Sequence, residues 1–447
     1  MKKFLYNYSR ACLIPLVKLV LIIFLFQINN SYSQDKWTLS DCIEYASKNH
    51  NLIQQQLLYR QQSLLELDAA KKSIFPELSA TIKANNNWCL YVDPVSNLLT
   101  RQRNIATNTV INLNMTLFSG MKNLYTINLK QQSVASADAG KEKELRQLKS
   151  DIINAYYNVL LAKEQLSNAH KMKQEIEKEK TFIEGRVESG IAHKRDLLSM
   201  EYQLSTIILA ETEASNLLQT ALSDLKLATG ISQAEQIDVD DNIDQDQIEI
   251  FQLNLNLVDS IASACSPEIQ KAKLELEMAK SSMMIAKSAR YPTLSLYGNA
   301  GTKTSTKKSE TFNTQLNENQ NQVLGLLLTI PIYSNNRISN SISSAELDVR
   351  IKQLNMQIIS EAFRNELKKA FLALNSSYGK VQSAQKQYIA ANEEFKYSQK
   401  LFEIGNISTF EYSEIRSRMI NAQSVLLLAK YDFISRKKSL DLYLGKI

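Results

Sequence analysis

The chain carries one pattern of landmarks twice, and this repetition constrains its fold more than any other feature. Each set contains a proline after a helical stretch, an apolar-aromatic-serine triplet and two glycines. The first set is Pro76, Leu117-Phe118-Ser119, Gly190 and Gly230, and the second is Pro292, Ile332-Tyr333-Ser334, Gly405 and Gly445. The sets are separated by a nearly constant spacing of about 215 residues, which predicts one supersecondary unit in two copies.

The scarcity of glycine and proline predicts long, uninterrupted helices. The 447 residues include only 11 Gly and 6 Pro, and none of the prolines lies between Pro94 and Pro267. Because these two residues punctuate loops, each copy is expected to contain one very long helix between two short ones. The expected helices are 39–74, 122–188 and 196–229, then 255–290, 336–402 and 411–443. At 1.5 Å per residue a long helix measures about 100 Å, which equals its two short neighbours stacked end to end.

Between the helices, four segments alternate apolar and polar residues with period two, which predicts half-buried strands. They lie at 78–85, 111–117, 294–300 and 324–332, and the intervening segments 86–107 and 302–321 are expected to be long polar loops outside the cell. Two interpretations compete: a small soluble hairpin packed on a helix, or part of a transmembrane barrel with its apolar face toward lipid. Strand lengths near ten residues favour the barrel. Since four strands cannot close a barrel and open edges are not tolerated in lipid, copies of the chain must pool their strands. Three copies supply twelve.

The second long helix carries two apolar seams. One comprises Ile338, Ile342, Ala345, Val349, Met356 and Ile359, and the other comprises Leu347, Ile351, Leu354 and Ile358. A single seam suits a two-stranded coiled coil, whereas two seams suit a helix wedged between two neighbours in a closed wall. An ordinary buried bundle helix is the alternative, but it does not need such length.

The first 33 residues have the pattern of a secretory signal peptide. A basic start is followed by the apolar run 13–26 and by small residues in Ser31-Tyr32-Ser33, which predicts cleavage before Gln34. An uncleaved anchor helix is the alternative. The whole chain has a formal charge of +6, and removing Lys2, Lys3, Arg10 and Lys18 leaves +2, so nucleic acid is not an expected partner.

Little in the sequence indicates an enzyme or a cofactor. Cys42, Cys89 and Cys265 form no regular disulfide framework. The three histidines lack metal-ligand spacing, and no glycine-rich phosphate loop is present. We therefore expect no catalytic residues, no cofactor and no metal site.

Taken together, these features resemble the TolC family of outer-membrane efflux proteins over essentially all of residues 37–447. The resemblance is carried by five segments in a fixed order. They are Trp37-Thr-Leu-Ser-Asp-Cys-Ile-Glu-Tyr-Ala46, Leu-Asn-Met-Thr-Leu-Phe-Ser-Gly at 113–120, Ser266-Pro-Glu-Ile269, Ala-Lys-Ser-Ala-Arg-Tyr-Pro-Thr-Leu-Ser at 286–295, and Leu-Thr-Ile-Pro-Ile-Tyr-Ser-Asn-Asn-Arg at 328–337.

The resemblance implies a mainly α fold with a small β part. Long helical hairpins of three chains form a periplasmic α-barrel, and four strands per chain contribute to a shared twelve-stranded barrel in outer-membrane lipid. The expected segments are a signal peptide at 1–33, a first repeat at 34–230, an acidic linker at 231–254 and a second repeat at 255–447. The stretch 239–249 within the linker is expected to be solvated.

The resemblance also implies roles for particular residues. The helix-hairpin turns at Gly190 and Gly405, with Arg186 and Phe402 beside them, correspond to the tips where a periplasmic adaptor docks. Asp196, Glu411 and Glu414 correspond to acids that narrow the closed aperture, although carboxylates early in a helix also favour its dipole. Ile407 stands where some relatives carry a basic gating residue, for which Lys194 and Arg195 are candidate substitutes.

The expected function is a passive exit duct in the outer membrane, spanning into the periplasm of a Gram-negative-type bacterium. The implied partners are a homotrimer, a periplasmic adaptor and an inner-membrane pump, either proton-driven (RND) or ATP-driven (ABC). The cargo is small molecules or proteins of a tripartite efflux or type I secretion system. The alternatives are a dedicated metal-ion efflux channel and a soluble periplasmic coiled-coil scaffold.

Overall fold

A computed structural model of the chain describes residues 36–92, 97–240, 266–306 and 311–446. The predicted signal peptide at 1–33 lies outside these residues. In chain order the elements are α1 (Leu39–Asn49), α2 (Asn51–Lys72), β1 (Glu77–Val92), β2 (Leu99–Phe118), α3 (Lys122–Glu188), α4 (Lys194–Thr229), α5 (Pro267–Ser288), β3 (Thr293–Ser305), α6 (Phe312–Glu318), β4 (Gln320–Thr329), α7 (Arg337–Glu403) and α8 (Thr409–Tyr443).

The described residues fall into two compact units, and each draws on both halves of the chain. The first unit comprises 36–48, 149–240 and 377–435. The second comprises 49–148, 266–376 and 436–446, with the gaps given above, and contains the sheet. Among the helices of the described residues, none combines the length and the apolar character that a membrane crossing requires.

The helices confirm the prediction from glycine and proline scarcity. Helices α3 and α7 each run for 67 residues without interruption, and α4 and α8 follow them with 36 and 35 residues. One helical prediction was wrong, because 39–74 is two helices that are broken at His50. His50 adopts an extended backbone, and its ring nitrogen accepts a hydrogen bond from Leu52 N–H at 3.2 Å, so it caps a new helix.

The four strands form one antiparallel sheet in the order β1-β2-β3-β4. Side chains directly opposite in the register share a face, so the sheet has one apolar and one mostly polar face. The apolar face carries Leu78, Ala80, Ile82, Ile111, Leu113, Leu294, Leu296, Leu324, Leu326 and Leu328. The polar face carries Glu77, Ser79, Lys83, Asn108, Asn112, Asn114, Asn299, Lys303 and Asn321.

β1, β2 and β3 are longer than predicted, which corrects the two loop predictions, whereas β4 ends at Thr329 and does not include the predicted strand residues 330–332. β1 and β2 continue through most of 86–107, pairing Asn86 with Ile105 and Val92 with Leu99. In the second copy β3 reaches Ser305, and α6 occupies much of 302–321. Asparagine is rare in strands, so the run Asn85, Asn86 and Asn87 gives no local signal that the strand continues. Ladder hydrogen bonds to the partner strand nevertheless keep the backbone extended.

Val239, the first residue of the stretch that was expected to be solvated, is packed instead, whereas residues 232–236 before it are exposed. Val239 is fully buried and forms a parallel bridge with Trp37. Lys163 donates to the Val239 carbonyl at 2.9 Å and forms an ion pair with Asp238 at 2.6 Å. Residues 241–254 lie outside the described residues, and so does the remainder of the stretch that was expected to be solvated.

Candidate functional site

The two hairpin turns of the first unit have the same hydrogen-bonding pattern. In the first, Ile191 N–H donates to the Arg186 carbonyl at 2.8 Å, and Gly190 N–H donates to the Val187 carbonyl. In the second, Asn406 and Gly405 donate to Leu401 and Phe402 in the same way. This pair of hydrogen bonds satisfies backbone carbonyls that would otherwise have no partner at the C-terminal end of the helix.

Both turn glycines adopt the left-handed backbone that their position demands. The φ angle is +71° at Gly190 and +77° at Gly405. A side chain would find open space at Gly190 and only ordinary contact with Arg186 at Gly405. The glycines are therefore required by backbone conformation and not by crowding.

The structure brings Arg186 to the second turn. Its guanidinium lies 5.6 Å from the Phe182 ring centre, and its Nη2 atom lies 3.9 Å from where a Cβ of Gly405 would stand. The two turns of one chain are therefore neighbours, and Arg186 lies between them.

Phe402 lies inside the first unit, although the sequence analysis grouped it with the docking residues. Its ring is 7% exposed and stacks on Tyr412, with centroids 4.4 Å apart and an interplanar angle of 4°. Ile183 and Met200 complete this buried cluster, and Ile407 packs against it. In a single chain Phe402 supports the turn from within and does not present its ring at the surface.

Of the three predicted aperture acids, Asp196 and Glu411 lie in the first turns of the returning helices α4 and α8, and Glu414 lies in the second turn of α8. Asp196 accepts a hydrogen bond from the His193 backbone N–H at 3.2 Å, so it caps α4. At the start of α8 the Glu411 backbone N–H donates to Ser408 Oγ at 3.2 Å, so the Ser408 side chain caps this helix. Glu411 and Glu414 are exposed and, three residues apart, lie on one side of α8. Neither forms an ion pair with another described residue.

The candidate gating cations are also exposed. Lys194 and Arg195 begin α4, and neither forms an ion pair with any residue that the structure describes. Within the described ranges, no cluster of three or more His, Cys, Asp or Glu side chains is arranged to hold a metal ion.

Sequence reasoning missed a buried polar network just inside the turns. Arg416 is 3% exposed and forms an ion pair with Glu179, which is 22% exposed. Tyr412 donates to the other Glu179 oxygen at 3.0 Å, and Arg416 Nη1 donates to Gln203 Oε1 at 3.3 Å. The Arg416 guanidinium also lies 4.6 Å from the Tyr412 ring centre. This network links α3, α4 and α8.

Burial and charge pairing both act on the network. Burial by itself would lower the pKa of Arg416, but the Glu179 carboxylate more than offsets this effect and the net shift is upward. Burial raises the pKa of Tyr412 to about 12. A signal was present in the sequence, since Arg416 interrupts an apolar seam of α8 that includes Tyr412, Met419 and Leu426. An arginine at such a position requires a carboxylate partner, but spacing alone does not identify Glu179.

The chain combines an antiparallel sheet that exposes an apolar face with two long helical hairpins. These features define its class, which is that of a membrane channel with helical extensions. Comparison with known proteins agrees. The chain is 21% identical to outer membrane protein TolC of Escherichia coli (strain K12) over 350 residues, covering 76% of this chain and 70% of TolC.

Solved structures show the same fold. The CmeC outer membrane channel of Campylobacter jejuni superposes with a TM-score of 0.76 at 17% identity, covering 91% of this chain and 85% of CmeC. CusC superposes with a TM-score of 0.79 at 16% identity, covering 93% of this chain and 95% of CusC.

The family described as outer membrane efflux protein matches residues 42–231 and 260–446, and the chain belongs to that family. It is an outer-membrane protein, and its function is that of an efflux channel. Members of the family are channels and not enzymes. The sequence alone also allowed the interpretation as a soluble periplasmic scaffold, and the family replaces that interpretation with a membrane channel.

Proposed function

We propose that three copies of this chain form one passive exit duct of a tripartite efflux or type I secretion system. A periplasmic adaptor and an inner-membrane pump, of RND or ABC type, supply it with cargo. The observation that carries the proposal is the four-stranded sheet, because one copy leaves both of its edges without a partner strand among the described residues.

The sheet faces support membrane insertion by a shared barrel. The apolar side chains Ile82 and Leu324 are 71% and 72% exposed on one face. Water does not favour such a face, and lipid does not tolerate unpaired edges. Pairing β1 of one copy with β4 of the next removes every unpaired edge. Three copies then give a barrel of twelve strands, which satisfies the preference of outer-membrane barrels for an even number.

The helices of the second unit support the same assembly. Of the two seams predicted in α7, the first packs within the chain, and its Ile342 is buried. The second is open, with Leu347 63% and Ile358 62% exposed. Helix α2 exposes a stripe of its own, including Leu58 and Leu65. In our proposal the open stripe of α7 packs against α2 of the neighbouring copy, so that the helices form a closed wall.

The hairpin turns form the adaptor-docking surface in this proposal. Both turns are exposed and carry the apolar side chains Ile191, Ile404 and Phe410 at the surface. Arg186 joins the turns, and Phe402 fixes their shape from within. Gly190 and Gly405 provide the backbone conformation without which neither turn closes.

Glu411 and Glu414 line the mouth of the duct in this proposal. Both are exposed and unpaired among the described residues, so a three-fold axis would gather six carboxylates. Such rings attract multivalent cations. Asp196, which caps α4, contributes to the same mouth through its second carboxylate oxygen.

The repeat boundaries remain part of the proposal. The element order helix, two strands, 67-residue helix and shorter helix occurs in both halves, and the family matches in two segments. These observations support a first repeat at 34–230, a linker at 231–254 and a second repeat at 255–447.

Cation block in planar bilayers tests the proposed mouth. We expect hexamminecobalt(III) to block wild-type channels and E411Q/E414Q to bind it at least about tenfold more weakly, because the ring loses its charge. The matched control is E403Q, which removes an exposed carboxylate from the end of α7. Unchanged block in E411Q/E414Q would remove these residues from the mouth.

A further inference from the structure

The polar face of the sheet contains a row of two lysines around one asparagine. The register pairs Lys83 with Asn108, and Asn108 with Lys303. Directly opposite residues project to the same face, so the three side chains form one row across β1, β2 and β3. Because neighbouring strands are about 4.8 Å apart, the two lysine backbones are separated by only about 10 Å.

Among the described residues, no carboxylate neutralises the charge of the two lysines in this row. Both lysines are exposed, and neither forms an ion pair with a described residue. The acid on the same face of β1 is Glu77, six residues and roughly 20 Å along the strand. Glu318, at the end of α6, is exposed and is paired with neither lysine.

A polar cavity of about 650 Å³ adjoins the row. Its lining includes Asn85, Asn108, Lys303, Ser305, Gln315 and Asn319, and no carboxylate is among the described residues that line it. The Oδ1 atom of Asn108 is buried and has no hydrogen-bond partner in the part of the chain that the structure describes. A hydroxyl or an ammonium group in the cavity would satisfy this oxygen.

Helix α6 fixes one wall of the cavity. The buried side chain of Gln315 accepts a hydrogen bond from Ser305 N–H at 2.8 Å. Asn319 Nδ2 donates to the Lys303 carbonyl at 2.8 Å, and Thr302 Oγ1 donates to the Leu316 carbonyl at 3.1 Å. The backbone that carries Lys303 is therefore held against α6, which gives the lysine a defined place.

We propose that Lys83, Asn108 and Lys303 form an anion-binding belt in the lumen of the duct. The belt rests on the proposed function, in which the polar face of three sheets lines one lumen. Six ammonium groups then surround the pore at one level, closely enough for their fields to overlap within a Debye length of about 8–10 Å. Rings of like charge select for solutes of the opposite charge, so the ligands are anionic solutes that also carry hydroxyl groups.

Citrate is a suitable probe, because it combines three carboxylates with one hydroxyl. In single-channel recordings with citrate on the external side, we expect concentration-dependent block of wild-type channels. The K83Q/K303Q variant should bind citrate at least about tenfold more weakly. K83R/K303R, which keeps both charges, should retain the block. The matched control R101Q loses one cation from the opposite face of β2, where Arg101 pairs with Leu90, and should bind citrate within twofold of wild type.

Each outcome decides the proposal. Equal citrate block in K83Q/K303Q and wild type, at normal conductance, would overturn the belt and leave the duct intact. Loss of block in K83R/K303R, or in R101Q alone, would also overturn it, because the charge of this row would not be the cause. Absence of any conductance from wild-type protein would overturn the duct and the belt together.

Discussion

Removing the charge of Arg416 should loosen the hairpin ends of the chain. The substitution R416M keeps a side chain of similar length and leaves the Glu179 carboxylate without its cation. Breaking a buried ion pair in this way costs about 3–5 kcal/mol. Glu179 remains 22% exposed and keeps the hydrogen bond from the Tyr412 hydroxyl. We therefore expect a loss of stability at the lower end of this range, ~3 kcal/mol.

Hydrogen exchange measures this cost locally. Amides near Glu179 in α3 and near Arg416 in α8 should exchange about a hundredfold faster in R416M, because each 1.4 kcal/mol is worth tenfold. The matched control is R418M, two residues further on. Arg418 pairs with Glu394 at 3.2 Å but is 55% exposed, and such a surface pair is worth about 0–1 kcal/mol.

A double variant separates charge from packing. E179Q/R416M removes both charges, so it should recover most of the lost protection, to within ~1 kcal/mol of wild type. Unchanged protection in R416M would mean that Glu179 and Arg416 do not form a buried, coupled pair. A loss in the double variant equal to the sum of the single losses would refute it as well.

Three further predictions follow from single positions. G190L should cost ~1–2 kcal/mol of stability through its left-handed backbone and reduce efflux at normal protein level. G185L, within α3 and with equally open space, should leave efflux unchanged and should not destabilise the chain, because leucine favours a helix more than glycine does; equal efflux in the two variants would argue against docking at the turn. I82R, on the exposed apolar face, should make membrane insertion ~2–4 kcal/mol less favourable and so lower the yield of protein in the outer membrane. S79R, on the polar face, should insert normally, and equal yields of the two variants would contradict the assigned faces. Burial, with a contribution from the Asp41 carboxylate, raises the pKa of Cys42 to about 12. The stability that the neutral Cys42 thiol contributes is therefore complete below about pH 8.5 and is lost as pH rises toward 12. The melting temperature of C42A should fall less steeply with alkaline pH than that of wild type, and parallel curves of melting temperature against pH would show that Cys42 is not the cause.

The long helices could be predicted from the sequence because their signal is local. Neither long helix contains a proline, and only Gly140, Gly185 and Gly379 fall within them, so a repeating apolar pattern leaves the backbone one favourable choice over 67 residues each. The left-handed glycines were predictable for the same reason, since a helix C-terminus requires that conformation.

The strand lengths and the break at His50 depend on non-local or weak signals. Asn85, Asn86 and Asn87 read as a loop, and only pairing with β2 makes them strand. His50 resembles an ordinary helical residue until its ring caps the next turn.

The inner side of the candidate site could not be predicted, because burial is a property of the packed helices. Phe402 and Ile404 are equally apolar in the sequence, yet one is buried and the other exposed. Glu179 and Arg416 are 237 residues apart, and no periodicity relates them. The placement of Glu411 and Glu414 near the start of α8 could be predicted, because their spacing from Gly405 is short, and their role at the mouth stays a prediction.

If one copy of the chain is an incomplete channel, the particle that conducts ions must contain several copies, and its mass is the decisive measurement. Detergent-extracted protein should be separated by size, weighed by native mass spectrometry and assayed for conductance in each fraction. We expect three chains per particle and conductance confined to that fraction. A stable single-chain particle that conducts ions would show that one copy is sufficient.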